Sequence, residues 1–114
     1  MSKAATVEGV LKASLRRIKH RWVKNMWKGK RPEGAAADGR GQNAYCLVGS
    51  VTGGKTMAEN PLQTEALVLI QRAIEEKAGY KTTIPTWNDR PATSQQDVIS
   101  VVEAALLEAK RKGI

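Results

Sequence analysis

Six apolar residues near the start of the chain, Val7, Leu11, Leu15, Ile18, Trp22 and Met26, recur in steps of three and four. Only an α-helix brings residues so spaced onto one stripe. The spacing predicts a long first helix over about residues 4–28, ended near Gly29 and before Pro32. The rest of its circumference is basic, with Lys12, Arg16, Arg17, Lys19, Arg21, Lys24 and Lys28. Between Lys12 and Arg31 stand nine Lys or Arg residues and no acid, whereas residues 41–114 hold eight of each sign. The net charge of +8 therefore belongs to the first third of the chain. A spread excess would serve only solubility, but a concentrated one makes a cationic surface suited to an anionic partner.

At 114 residues the chain has the size of one domain and can bury a core unaided. Its one cysteine, Cys46, excludes an internal disulfide, and the lack of a Cys/His cluster removes structural zinc. No metal site and no cofactor are expected, and a reducing, cytoplasmic setting is the simplest. The longest apolar runs, Ala66 to Ile70 and Ala104 to Leu107, are far shorter than the ~18 residues a membrane span requires, and no secretory signal is visible. Membrane attachment is not expected. Phenylalanine is absent, so Leu, Ile, Val and Ala must build most of the interior, which suits packed helices better than a sandwich.

Residues 29–42, with Pro32, Gly34, Gly39 and Gly41, read as a flexible loop. Asn43 to Val51 is short and apolar, and periodicity leaves strand and buried helix both open. Asn60 caps Pro61, and Leu67, Ile70, Ala73 and Ile74 form the stripe of a helix that Gly79 ends. A loop holding Pro85, Trp87, Asn88, Asp89 and Pro91 follows. Thr93 with Gln96 reads as a capping box, opening a last helix striped by Val98, Val102, Ala105, Leu106 and Ala109 and ending at Gly113. No convincing hairpin is present. The expected fold is a single all-α domain over residues 1–114, a small bundle of about four helices with a long basic N-terminal helix.

Two stretches carry a resemblance: Ala44-Tyr-Cys-Leu-Val-Gly-Ser-Val51, and Ile84-Pro-Thr-Trp-Asn-Asp-Arg-Pro91 followed by Ala-Thr-Ser-Gln-Gln-Asp-Val-Ile. Together they resemble an uncharacterised small-protein family of actinobacteria and bacteriophages, the domain of unknown function DUF6197. Its members have a Cys-Leu-Leu-Gly-Ala-Leu-like segment and a Trp-Asn-Asp-x-Pro loop before the final helix. The likeness covers about residues 20–107. It implies that the segment around Cys46 is helical and that the location is a bacterial cytoplasm, or a host cytoplasm if the protein is phage-encoded. The strongly basic first helix departs from the family pattern, and the resemblance implies no activity.

Gly49-Ser-Val-Thr-Gly-Gly54-Lys55-Thr56 matches the G-x-x-x-x-G-K-T phosphate loop, with an apolar run before it. In such a loop backbone amides, with Gly49 and Gly54 in the turn, cradle phosphates, Lys55 meets their charge and Thr56 holds magnesium. Pro61, five residues on, would break the helix that must follow, and Leu67 to Ile70 leads to Gln71 rather than to a metal-binding Asp. A helix end with Gly53 and Gly54 as cap and linker is the preferred reading. Cys46, His20 and Asp89 form a nucleophile, base and orienter on paper, but a lone cysteine in an apolar run is ordinarily a small hydrophobe. Glu75, Glu76, Glu103 and Glu108 read as solvated helix faces.

Trp87, Asn88 and Asp89 have two readings. Trp87 seals the bundle while the polar pair satisfies backbone amides in the turn, or the three form a rigid recognition loop between prolines. The expected function is non-enzymatic binding of an anionic macromolecule, nucleic acid foremost, through Lys12, Arg16, Arg17, Lys19, Arg21, Lys24, Lys28, Lys30 and Arg31. Six phosphate contacts would give a log-log salt slope of about −5. Trp27, off the apolar stripe, has two readings, stacking on an exposed base or packing at the helix end. The competing class is a protein-interaction module docking on an acidic protein, with phosphate or nucleotide binding at Gly49 to Thr56 third. Self-association is compatible with all three.

Overall fold

The computed structural model describes residues 6–22, 28–30, 43–53 and 58–114. The order of elements is α1 (Val7–His20), β1 (Lys28–Lys30), β2 (Asn43–Tyr45), α2 (Leu47–Thr52), α3 (Pro61–Ala78), α4 (Ile84–Asn88) and α5 (Gln95–Lys112). The class is all-α, as the apolar stripes require. A central α1 packs on α5, α2 and α3, and α3 packs on α5. α1 and α5 run antiparallel. The backbone oxygen of Ile114 accepts from the amides of Val7, at 2.8 Å, and Glu8, while the Gln95 side chain at the start of α5 donates to the Ile18 carbonyl at 2.7 Å.

Among the described residues the buried core consists of aliphatic side chains from every helix around Trp87, with Trp22 packed against it. Leu11, Ile18, Leu47, Ile70, Ile74, Val98 and Val102 are fully buried, each worth about 1.5–3 kcal/mol of apolar transfer. α3 starts at the Asn60 cap, whose side chain accepts from the Gln63 amide at 2.9 Å, and ends at Gly79 in the left-handed region. α5 ends in the same way at Gly113. Both boundaries fall where the sequence places them.

Several expectations need correction. The first helix ends at His20, well short of residue 28, because Arg21 turns into extended backbone (φ −152°, ψ 93°). The last carbonyls of α1 are taken by Gln95 instead of by a further turn, and Trp22 leaves the apolar stripe to donate to Asn88. A small antiparallel ladder exists where none was read, pairing Lys28 with Tyr45, Gly29 with Ala44 and Lys30 with Asn43. The open segment 43–51 is thus both strand and helix, changing at Cys46. The stretch around Trp87 is a one-turn helix, α4, capped by Thr83, and not a loop. Of the flexible loop expected over 29–42, Gly29 and Lys30 belong instead to β1, and residues 31–42, with Met26 and Trp27, lie outside the described residues.

The start of α5 also departs from expectation. The capping box is formed by Ser94 and Asp97, one residue beyond the Thr93 and Gln96 pair. Thr93 is buried and spends its hydroxyl on the Trp87 carbonyl at 2.7 Å, so it cannot cap. Ser94→Ala should cost about 1 kcal/mol. Asp97 is held below the ordinary carboxylate range chiefly by the Ser94 backbone amide, with help from the Ser94 hydroxyl and from Lys77. A carboxylate depressed in the folded state adds stability that is present above its unfolded value, about pH 4, and lost as pH falls through the folded value. Asp97→Asn should therefore destabilise the domain at neutral pH, and urea melts of the two proteins should converge as the pH falls through the depressed folded value. Among the described residues no helix is long and apolar enough to cross a membrane.

Candidate nucleic-acid interface

On α1, the buried residues Val7, Val10, Leu11, Ser14 and Ile18 occupy one side. Lys12, Arg16 and Lys19, in steps of four and three, lie almost opposite, and all three are exposed, as is His20 at their edge. This is the surface the charge pattern predicts, but with fewer free cations. Lys12 pairs with Glu8 one turn earlier at 2.9 Å, and its hydrogen bond is the main cause that lowers the Glu8 carboxyl below the usual range. Lys110, at the far end of the chain, also acts on Glu8. The antiparallel packing of α1 on α5 therefore brings a basic C-terminal turn, Lys110 to Lys112, beside the start of the basic helix.

Arg17 does not belong to this surface. Its guanidinium turns inward and Nη1 donates to the Ser50 carbonyl at 2.6 Å in the last turn of α2, where a cation favours the helix dipole. Arg21 is half-buried, and its Nε has no hydrogen-bond partner. Lys28 and Lys30 form the outer residues of β1, while Lys24 and Arg31 lie outside the described residues. Of the nine predicted contact residues, the helix presents Arg16 and Lys19 as exposed cations without an ion pair among the described residues, with Lys12 shared with Glu8.

Beneath this face sits a polar interior that sequence reading missed. Ser14 of α1 meets Ser50 of α2 at 2.6 Å, both fully buried. Since the Ser50 hydroxyl donates to the Leu47 carbonyl at 2.6 Å, Ser14 must be the donor to Ser50. At the other end of α2, Asn88 is 1% exposed, and its Oδ1 accepts from the Trp22 indole at 2.7 Å and from the Leu47 amide at 3.1 Å. Asn88 Nδ2 donates to Asp89 at 2.9 Å. Asn88 thus ties together α1's exit, α2 and α4. Its spacing from Trp22 and Leu47 leaves no local signal, which is why composition could name the polar pair but not its partners.

The other candidates fall into place around α2. Gly49 is buried inside that helix and donates its amide to the Cys46 sulfur at 3.4 Å, so the chain does not turn around an anion there. Gly53 is a left-handed C-cap (φ 76°), as the preferred reading has it. Gly54, Lys55 and Thr56 lie outside the described residues. Cys46 is buried, and desolvation pushes its thiol up, which keeps it protonated and a weak nucleophile. His20, exposed on α1, makes no hydrogen bond to Cys46 or Asp89, so the paper trio is not assembled. Trp87 and Asn88 are interior residues, which removes them from any recognition surface and leaves Asp89 half-buried at its edge. Among the described residues no group of three or more His, Cys, Asp or Glu side chains is placed to hold a metal ion.

A family model described as a family of unknown function, DUF6197, matches residues 2–107. No curated protein and no solved structure matches the chain.

Proposed function

The chain belongs to the DUF6197 family of unknown function, and on that premise, which supplies no activity, we propose that it is a non-enzymatic protein that binds nucleic acid through the outer face of α1. The observation behind this reading is the combination of charge segregation with exposure. The acid-free segment from Lys12 to Arg31 carries nine cations, and Lys12, Arg16 and Lys19 stand on the solvent side of a helix whose other side is committed to the core. A membrane surface would compete for that apolar side, which is already used. Lys and Arg contacts to phosphate position a protein without reading sequence, so the binding is non-specific with respect to bases.

A titration of labelled single-stranded DNA, duplex DNA and RNA at several salt concentrations tests the reading. Three phosphate contacts by the exposed face of α1 give a log-log salt slope of about −3, rising toward −5 if Lys28 and Lys30 also reach the backbone. Absence of binding at low salt would contradict the proposal and turn attention to an acidic protein partner.

A further inference from the structure

The face of α3 and α5 that is turned away from the core carries features that α1's role leaves unused. The two helices run antiparallel, tied at one end by Lys77 and Asp97 at 3.8 Å. Between them lies a groove of about 510 Å³ whose floor holds Leu69, Ala73, Val101 and Ala104. No residue of α1 lines it. Ser100 and Ala104, which line the groove, and Leu107 beside it follow one another in steps of four and three along α5, and Leu107 is 70% exposed, the most exposed large apolar side chain among the described residues. A small-residue hollow and a projecting leucine thus share one face.

We propose that this face is the contact between two copies of the chain, each inserting Leu107 into the hollow at Ala73 and Ala104 of the other. The rim charge favours a second copy over a partner of one sign. Lys77 is occupied by Asp97, and Glu108 by Arg111 and Lys112. Arg72 and Glu76, one turn apart on α3, are both exposed and in no close ion pair among the described residues, Arg72 acting on Glu108 only at longer range. This cation and this anion on the same rim, neither held in a close ion pair, make a self-complementary pair across a two-fold axis, where each meets its opposite on the other copy. Helices of this length reach about 27 Å, and two of them side by side offer roughly 500 Å² per copy. That total of about 1,000 Å² is at the lower bound for a specific interface, so the dimer is reversible, with dissociation in the micromolar range.

Sedimentation equilibrium of the whole chain from about 1 to about 200 μM tests this. The average mass should rise from that of one chain toward that of two, and should not collapse with rising salt as the nucleic-acid binding proposed above does, since the charge pair is only part of the contact. Leu107→Glu and Ala104→Glu, both at exposed positions, should each hold the protein at single-chain mass with an unchanged circular-dichroism melt, while Leu107→Met keeps the dimer. Arg72→Glu should weaken association, and adding Glu76→Arg should restore it. A single-chain mass at every concentration would overturn the proposal. So would association that survives both glutamate variants.

Discussion

Asn88→Ala should lower the unfolding free energy by about 3–5 kcal/mol, from the orphaned donors together with lost packing. The side chain is interior and accepts from two partners distant in sequence, the Trp22 indole and the Leu47 amide, while donating to its neighbour Asp89. Alanine orphans the two donors together, and each buried donor left unmade costs about 1–3 kcal/mol. Urea denaturation should show a lower midpoint at unchanged slope. Trp22→Phe removes one of those donors, so it should cost less in the Asn88→Ala background than in the parent, with a coupling of about 1 kcal/mol. Additive costs would mean that Asn88 does not hold Trp22 in place.

That polar tie also explains where sequence reading succeeded and where it stopped. Caps and stripes are local, so Asn60 with Pro61, Gly79, Gly53 and Gly113 are legible as soon as helix chemistry is applied. The end of α1 is not local. The stripe from Val7 through Trp22 to Met26 continues in the sequence, but Gln95 from α5 closes the last turn and Asn88 from α4 claims Trp22. The capping box slipped by one residue because Thr93 has a tertiary use for its hydroxyl that Ser94 lacks. The Cys46 segment was ambiguous for a physical reason, since its apolar run spans the end of a strand and the start of a helix.

The candidate surface was legible as charge but not as geometry. Glu8 four residues before Lys12 is an ordinary helix pair and visible in advance. The diversion of Arg17 is different, because it depends on the carbonyl of Ser50, thirty-three residues away. Trp87 is buried, as the reading that it seals the bundle expects and the alternative of an indole presented between prolines does not, because an aromatic in a chain without phenylalanine is the largest piece of core available.

Reversing Lys12, Arg16 and Lys19 to Glu together should weaken nucleic-acid binding by about 100-fold or more at low salt and flatten the salt slope, because three phosphate contacts become three repulsions. The side chains are exposed, and surface substitutions of this kind change stability by only about 0.5 kcal/mol each, so the variant should remain folded. Loss of binding with an intact melt assigns the effect to the surface. Unchanged binding in a folded variant would show that the outer face of α1 is not the contact.

Adjacent arginines offer the sharpest comparison, since sequence treats Arg16 and Arg17 alike and the structure separates them. Arg17→Ala should cost about 1.5–3 kcal/mol by removing a charged hydrogen bond from the end of α2. Binding isotherms of Arg16→Ala and Arg17→Ala on the same labelled strand, at a temperature where both are folded, should show a weaker complex with a salt slope smaller by about 1 for Arg16→Ala only. Equal losses at the two positions, or none at Arg16, would contradict the account.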